Sequence, residues 1–285
     1  MRLASFSRGG RSAFGAVRDD GIVDLSSPEV PTLRAALTTW GVEGLLDRAG
    51  TGRTVVPLQG MTWLQPIVDP DKIICVGLNY YDHAKEANLP VPERPSLFVR
   101  FASSQVGHLD NVVRPRASSQ FDYEAELAVV IGRGGRHIAE ARAHEHVLGY
   151  SCFAENSIRD WQMHSRQATP GKNFERSGAF GPWIVTPDEA GPVEAMDVIG
   201  RLNGREMQHD KAANMIFSIA QTIAYVSTFT TLLPGDVIVT GTPAGVGFAR
   251  KPPVWLVAGD RFEVEITGVG VLANTVVDET EMRSN

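Results

Sequence analysis

The chain has 285 residues, 43% of them hydrophobic and 21% charged, an ordinary globular composition with enough length for a large core. A formal net charge of −6, with no lysine- or arginine-rich run, argues against a nucleic-acid-binding surface. No apolar run is long enough to cross a bilayer, so no membrane association is expected.

The opening Met1-Arg2-Leu3-Ala4-Ser5 leads into charged residues rather than an apolar secretion core. The two cysteines, Cys75 and Cys152, lack CxxC spacing, so buried free thiols and a cytoplasmic location are expected. Residues 1–66 read as a small N-terminal domain. It has strand-like pieces from Met1 to Phe6, Phe14 to Val17 and Gly21 to Leu25, and a helix from Leu33 to Leu46. Pro57, Pro66 and Pro70 then mark an extended linker. Residues 67–285 read as a larger, strand-rich catalytic domain. Strands are predicted from Ile73 to Val76, Glu126 to Ile131, Val147 to Phe153, Trp183 to Thr186, Val237 to Thr240 and Arg261 to Ile266. A helix is predicted from Ala212 to Thr231, apolar at Met215, Ile216, Ile219, Ile223 and Val226. Helices do not alternate regularly with strands, so the expected class is α+β and β-rich rather than a doubly wound parallel sheet.

Five stretches carry chemistry. In Asp122-Tyr123-Glu124-Ala125-Glu126, strand alternation puts Glu124 and Glu126 on one face at the mouth of an apolar strand. Two adjacent like charges there need a proton, a cation or a metal, unless the strand end is simply exposed to water. In Tyr80-Tyr81-Asp82-His83-Ala84-Lys85-Glu86, His83 and Glu86 lie three residues apart. They form either a carboxylate-oriented general base or an incidental surface pair. Glu155-Asn156-Ser157-Ile158-Arg159-Asp160-Trp161-Gln162 offers a third carboxylate for Mg²⁺ or Mn²⁺ and an arginine for a substrate carboxylate; capping and charge balance explain the same residues equally well. Lys172 in Gly171-Lys172-Asn173-Phe174 is a candidate oxyanion or carboxylate partner, or a solvated lysine. The Gly-rich turn Thr240–Gly247 places Thr242 and free amides where an anion can bind, although such turns are common connectors.

These stretches occur in the order of one family. ICVGLNYYDHAKE, DYEAELAVVIG, GYSCFAENSIRDWQ, GKNF and the run ending in TGTPAGVG together resemble the fumarylacetoacetate hydrolase family, from about Lys72 to Val277. The resemblance implies a mixed β-sheet roll beside the small N-terminal domain, a homodimer, and one Mg²⁺ or Mn²⁺ per subunit held by Glu124, Glu126 and Glu155. The family normally has aspartate at the third position, so Glu155, which follows Ala154, is a departure that lengthens the ligand by a methylene. His83, Glu86 and Lys172 match catalytic positions, and Tyr80, Arg159, Gln162 and Thr242 are the candidate substrate contacts. The implied reaction is hydrolysis of a C–C bond in a β-diketo acid of the acylpyruvate kind, releasing pyruvate and a carboxylic acid. A 2-oxo acid decarboxylase, isomerase or hydratase using the same enolate stabilisation is the alternative, and a metal-free, catalytically silent binding protein is the alternative of another class. Trp161, His164, Arg166, Gln167 and Phe180 are expected to line the acyl side. The segment from Leu78 to Pro95, polar and interrupted by proline, is expected to act as a lid.

Overall fold

A computed structural model describes residues 1–165 and 167–280, and the fold is α+β with two mixed sheets. The larger sheet runs through Gly21–Asp24, Arg11–Arg18, Arg2–Arg8, Gly178–Val185, Val147–Ala154, Ala125–Ile131, Val237–Val239, Ile73–Gly77 and Ser96–Arg100. Val237–Val239 pairs antiparallel with Ala125–Ile131 and parallel with Ile73–Gly77, so three of the motif-bearing segments enter the sheet side by side. The smaller sheet is ordered Arg205–Lys211, Asp197–Leu202, Arg261–Ile266, Gly270–Asp278 and Asn111–Arg114.

Ala125–Ile131 is buried along its whole length because it is covered on both faces. Alternation sends Leu127, Val129 and Ile131 into the core shared with the smaller sheet. Ala128 and Val130 go instead into a second core, against the helix Leu33–Thr51. Each such side chain contributes roughly 1.5–3 kcal/mol when fully buried, which makes this strand the fixed reference for whatever hangs on its ends.

The segment expected as a domain over residues 1–66 is hydrogen-bonded into the same large sheet, with Leu3 opposite Ile184. Leu3, Phe14, Leu33 and Leu45 pack in one cluster with Val130, Phe153 and Val239. Its helix runs beyond Leu46 to Thr51 and is interrupted at Gly41, whose φ of 67° breaks the helical path. The helix predicted from Ala212 instead begins at Ile219 and ends at Phe229. Ser218 and Gln221 form a capping box that fixes the start, and the backbone amides of Ile216 and Phe217 are bound by Asn79. Apolar spacing upstream of Ser218 therefore reflects packing of a short 3-10 turn at Ala212–Asn214 and of Met215, which bridges to Tyr80.

Candidate functional site

The end of Ala125–Ile131 and the start of the neighbouring turns converge on one cavity of about 710 Å³. Glu124, Glu126 and Glu155 meet at its floor: one carboxylate oxygen of each lies within 4.8 Å of the others, and all three residues are buried. The backbone brings them together, since Glu155 follows the strand Val147–Ala154 and its amide donates to the Glu124 carbonyl at 2.9 Å. Lys172, itself 2% exposed, donates to Glu124 Oε1 at 2.9 Å and to Glu155 Oε2 at 2.8 Å. Arg159 donates from Nε to Asp122 at 2.7 Å, and its Nη2 is ion-paired with Glu124 at 3.0 Å. Ser157 donates to Glu124 as well.

This environment separates two adjacent acids. Burial pushes Glu124 up, but Arg159, Lys172 and the Ser157 hydroxyl outweigh it and hold its pKa at about 2. Burial, followed by the Glu155 and Glu124 charges, pushes Glu126 well above the usual carboxylate range. Glu155 Oε1 is buried without a hydrogen-bond partner. Three hard oxygen donors, one of them unpartnered and one under like-charge repulsion, fit a divalent cation such as Mg²⁺ or Mn²⁺. Glu155 thus reaches the cluster despite its extra methylene.

The rim carries the second device. His83 and Glu86 face each other on the short helix Tyr81–Glu86, with Nδ1 to Oε2 at 3.2 Å. Glu86 also accepts the Gly245 amide at 3.0 and 3.1 Å. That glycine belongs to the turn after Val237–Val239, which serves two further acids. The Gly241 amide donates to Glu126 at 2.6 Å, and the Gly247 and Phe248 amides donate to Asp122 at 2.7 and 3.1 Å. Gly245 has φ +104°, and an added Cβ would lie 2.1 Å from the Met207 carbonyl oxygen, so a side chain is barred there.

Other expected contacts are placed as follows. Gln162 lines the cavity and accepts from Arg159 Nη1 at 2.9 Å. Thr242 also lines it, but its hydroxyl donates to the Ala125 carbonyl and accepts from Gln208. Tyr80 is fully buried in the core, does not line the cavity, and bridges to Met215. It is the N-cap of the helix that presents His83, and its carbonyl accepts from the Ala84 amide at 3.0 Å. Trp161, His164, Gln167 and Phe180 also fall outside the lining; Phe180 packs at a tilt against Phe153 at 5.6 Å, and Trp161 meets Phe174 edge to face at 5.1 Å. Arg166 lies outside the described residues. Asp122 and Gln208 carry roles that the motif reading left unassigned. For Asp122 the signal was present, as the first of three acids at alternate positions.

An α+β roll with a carboxylate cluster at the base of a cavity and a histidine–glutamate pair at its rim defines a class of enzyme-like metal site. The fumarylacetoacetate (FAA) hydrolase C-terminal family matches residues 72–277. The chain is 42% identical over 265 residues to a mitochondrial oxaloacetate tautomerase of Bos taurus, covering 90% of this chain and 84% of that protein. Among solved structures, a fumarylacetoacetate hydrolase from the psychrophile Exiguobacterium antarcticum superposes with a TM-score of 0.81 at 36% identity, covering 98% of this chain and 100% of the other. A maleylpyruvate hydrolase from a Sphingobium species, in complex with manganese(II) and pyruvate, superposes with a TM-score of 0.80 at 29% identity and the same coverage. The protein belongs to the fumarylacetoacetate hydrolase family. No described helix is long and apolar enough to cross a membrane.

Proposed function

We propose that the protein is a divalent-metal-dependent enzyme that moves a proton at the carbon beside the carbonyl of a 2-oxo acid, interconverting its keto and enol forms. The observation that carries this reading is the meeting of two devices in one cavity, the Glu124–Glu126–Glu155 cluster and the His83–Glu86 pair. A divalent cation on the three carboxylates supplies Lewis acidity toward the 2-oxo group. Arg159 Nη2, buried and ion-paired with Glu124 at 3.0 Å but making no aligned hydrogen bond, offers a donor to the substrate carboxylate. With Nδ1–H directed at Glu86, His83 keeps Nε2 free to take the proton and return it. The Glu86 carboxylate fixes that tautomer and orients the ring.

The Lys172 ammonium, held between Glu124 and Glu155, balances charge among the three acids in either reading. Hydrolytic C–C cleavage of a β-diketo acid is the second reading, supported by the size of the cavity and the likeness to the maleylpyruvate hydrolase. There His83 would activate water instead of touching carbon. The two readings separate in one experiment: following loss of enol absorbance from oxaloacetate, and pyruvate release from acetylpyruvate, each with Mn²⁺ and with EDTA. Metal-dependent acceleration of the first is expected. A keto–enol rate equal to the protein-free Mn²⁺ control would overturn the leading reading, and pyruvate release in its place would establish the second.

A further inference from the structure

We propose that the end of the cavity away from the carboxylates is a subsite for an apolar substituent, so that the preferred 2-oxo acid carries a single carboxylate and a hydrocarbon tail. This inference rests on the 2-oxo acid reading above and names the class of acid. Leu89, Met163 and Phe248 come from three separate segments, are 53%, 60% and 46% exposed, and line the same cavity. Single exposed apolar side chains are ordinary, but several converging on one concave surface mark a place where an apolar group is meant to sit.

The apolar wall begins beside the polar floor. The Phe98 ring centroid lies 4.9 Å from Lys172 Nζ, and the Phe248 ring lies 6.0 Å from Arg159 Cζ. A substrate whose carboxylate sits at Arg159 therefore meets hydrocarbon within a few bonds. Charge favours the same assignment. Among the described residues the only lysine and arginine lining the cavity are Lys172 and Arg159, and both are already ion-paired with carboxylates. Among the described lining residues a second substrate carboxylate finds no unpaired lysine or arginine, and desolvating it against those residues is costly. The volume of about 710 Å³ also falls in the range of pockets that enclose drug-sized ligands, well beyond what a four-carbon diacid fills.

Calorimetric titration of the Mn²⁺-loaded protein with pyruvate, 2-oxohexanoate and 2-oxooctanoate tests this. The dissociation constant is expected to fall by roughly fourfold per methylene until the wall is covered. Phe248→Ser and Met163→Ser should each flatten that dependence, and because both side chains are exposed, unchanged melting temperatures will show that the fold is intact. Pyruvate that fails to bind with Mn²⁺ would overturn the underlying 2-oxo acid reading. Pyruvate that binds in a series flat with chain length would overturn the subsite alone, as would a second copy of the chain covering this rim and producing the same flatness. Tighter binding of oxaloacetate than of 2-oxohexanoate, or an unchanged slope in both variants, would overturn it as well.

Discussion

The floor and the rim of the cavity hold their functional groups by opposite means. Glu124, Glu126, Glu155 and Lys172 are buried, and the three acids hang at the ends of strands in the middle of the large sheet. Between Tyr81 and Pro95, by contrast, Ala84 is the one buried residue, and the segment presents Leu89 and Val91 half exposed. The floor can be disturbed only by opening the sheet, whereas the rim is held by His83–Glu86, the Gly245 amide and a few backbone bonds. Metal binding and proton transfer should therefore fail separately when the two regions are perturbed one at a time.

The largest effect is expected at the floor. Glu126→Gln removes an anionic ligand with little change of shape and should abolish Mn²⁺ binding by calorimetry, together with nearly all turnover. Because burial and like charge push the Glu126 carboxyl up in the metal-free protein, the neutral variant should melt at or above the temperature of the EDTA-treated parent. In the parent, Mn²⁺ should raise the melting temperature, since it binds the native state alone; no rise would remove the cluster as a metal site. Next comes His83→Ala, expected to lower turnover by roughly two to four orders of magnitude while leaving the Mn²⁺ dissociation constant close to that of the parent. Equal loss of both would mean that floor and rim are one unit. Glu86→Gln should lower turnover less, on the order of tenfold, because it keeps an oxygen for Gly245 and loses only the charge behind the imidazole. Glu155→Asp should change the preference between Mg²⁺ and Mn²⁺ by several-fold, and an unchanged preference would take Glu155 out of the ligand set. The smallest effect is one of dynamics. Hydrogen exchange should show protection rising across residues 82–89 on adding pyruvate with Mn²⁺, and constant protection across 125–131.

Much of the floor was legible because strand periodicity and burial act on neighbours in sequence. Glu124 and Glu126 two residues apart, before an unbroken apolar run, gave their shared face directly. Lys172 was visible as a residue, but its place between Glu124 and Glu155 depends on a tertiary meeting of two segments that no local pattern encodes. Tyr80 reads as a ligand contact because its aromatic hydroxyl stands three residues before His83, while core packing sets its actual place. The hairpin Asp197–Leu202 and Arg205–Lys211 escaped notice because its second strand is largely polar and buries only Met207 and Gln208. The apolar wall was invisible for a different reason: Leu89, Met163 and Phe248 are 74 and 85 residues apart along the chain and meet only in the folded molecule.

The turn from Gly241 to Phe248 works as a ruler. Its main-chain amides hold Glu126, Glu86 and Asp122, three acids from three regions of the chain, at fixed intervals along a single ribbon. Main-chain donors do not depend on which side chains the ribbon carries, so Ala244 can vary without moving the marks. The number of residues cannot vary in the same way. One residue inserted between Gly241 and Gly245 would displace the anchor of the base by roughly 3.5 Å relative to that of the ligand, more than any hydrogen bond can span. Side chains of the wall and the rim can therefore change while the distance from the Glu86 anchor to the Glu126 anchor stays set by a count of peptide units.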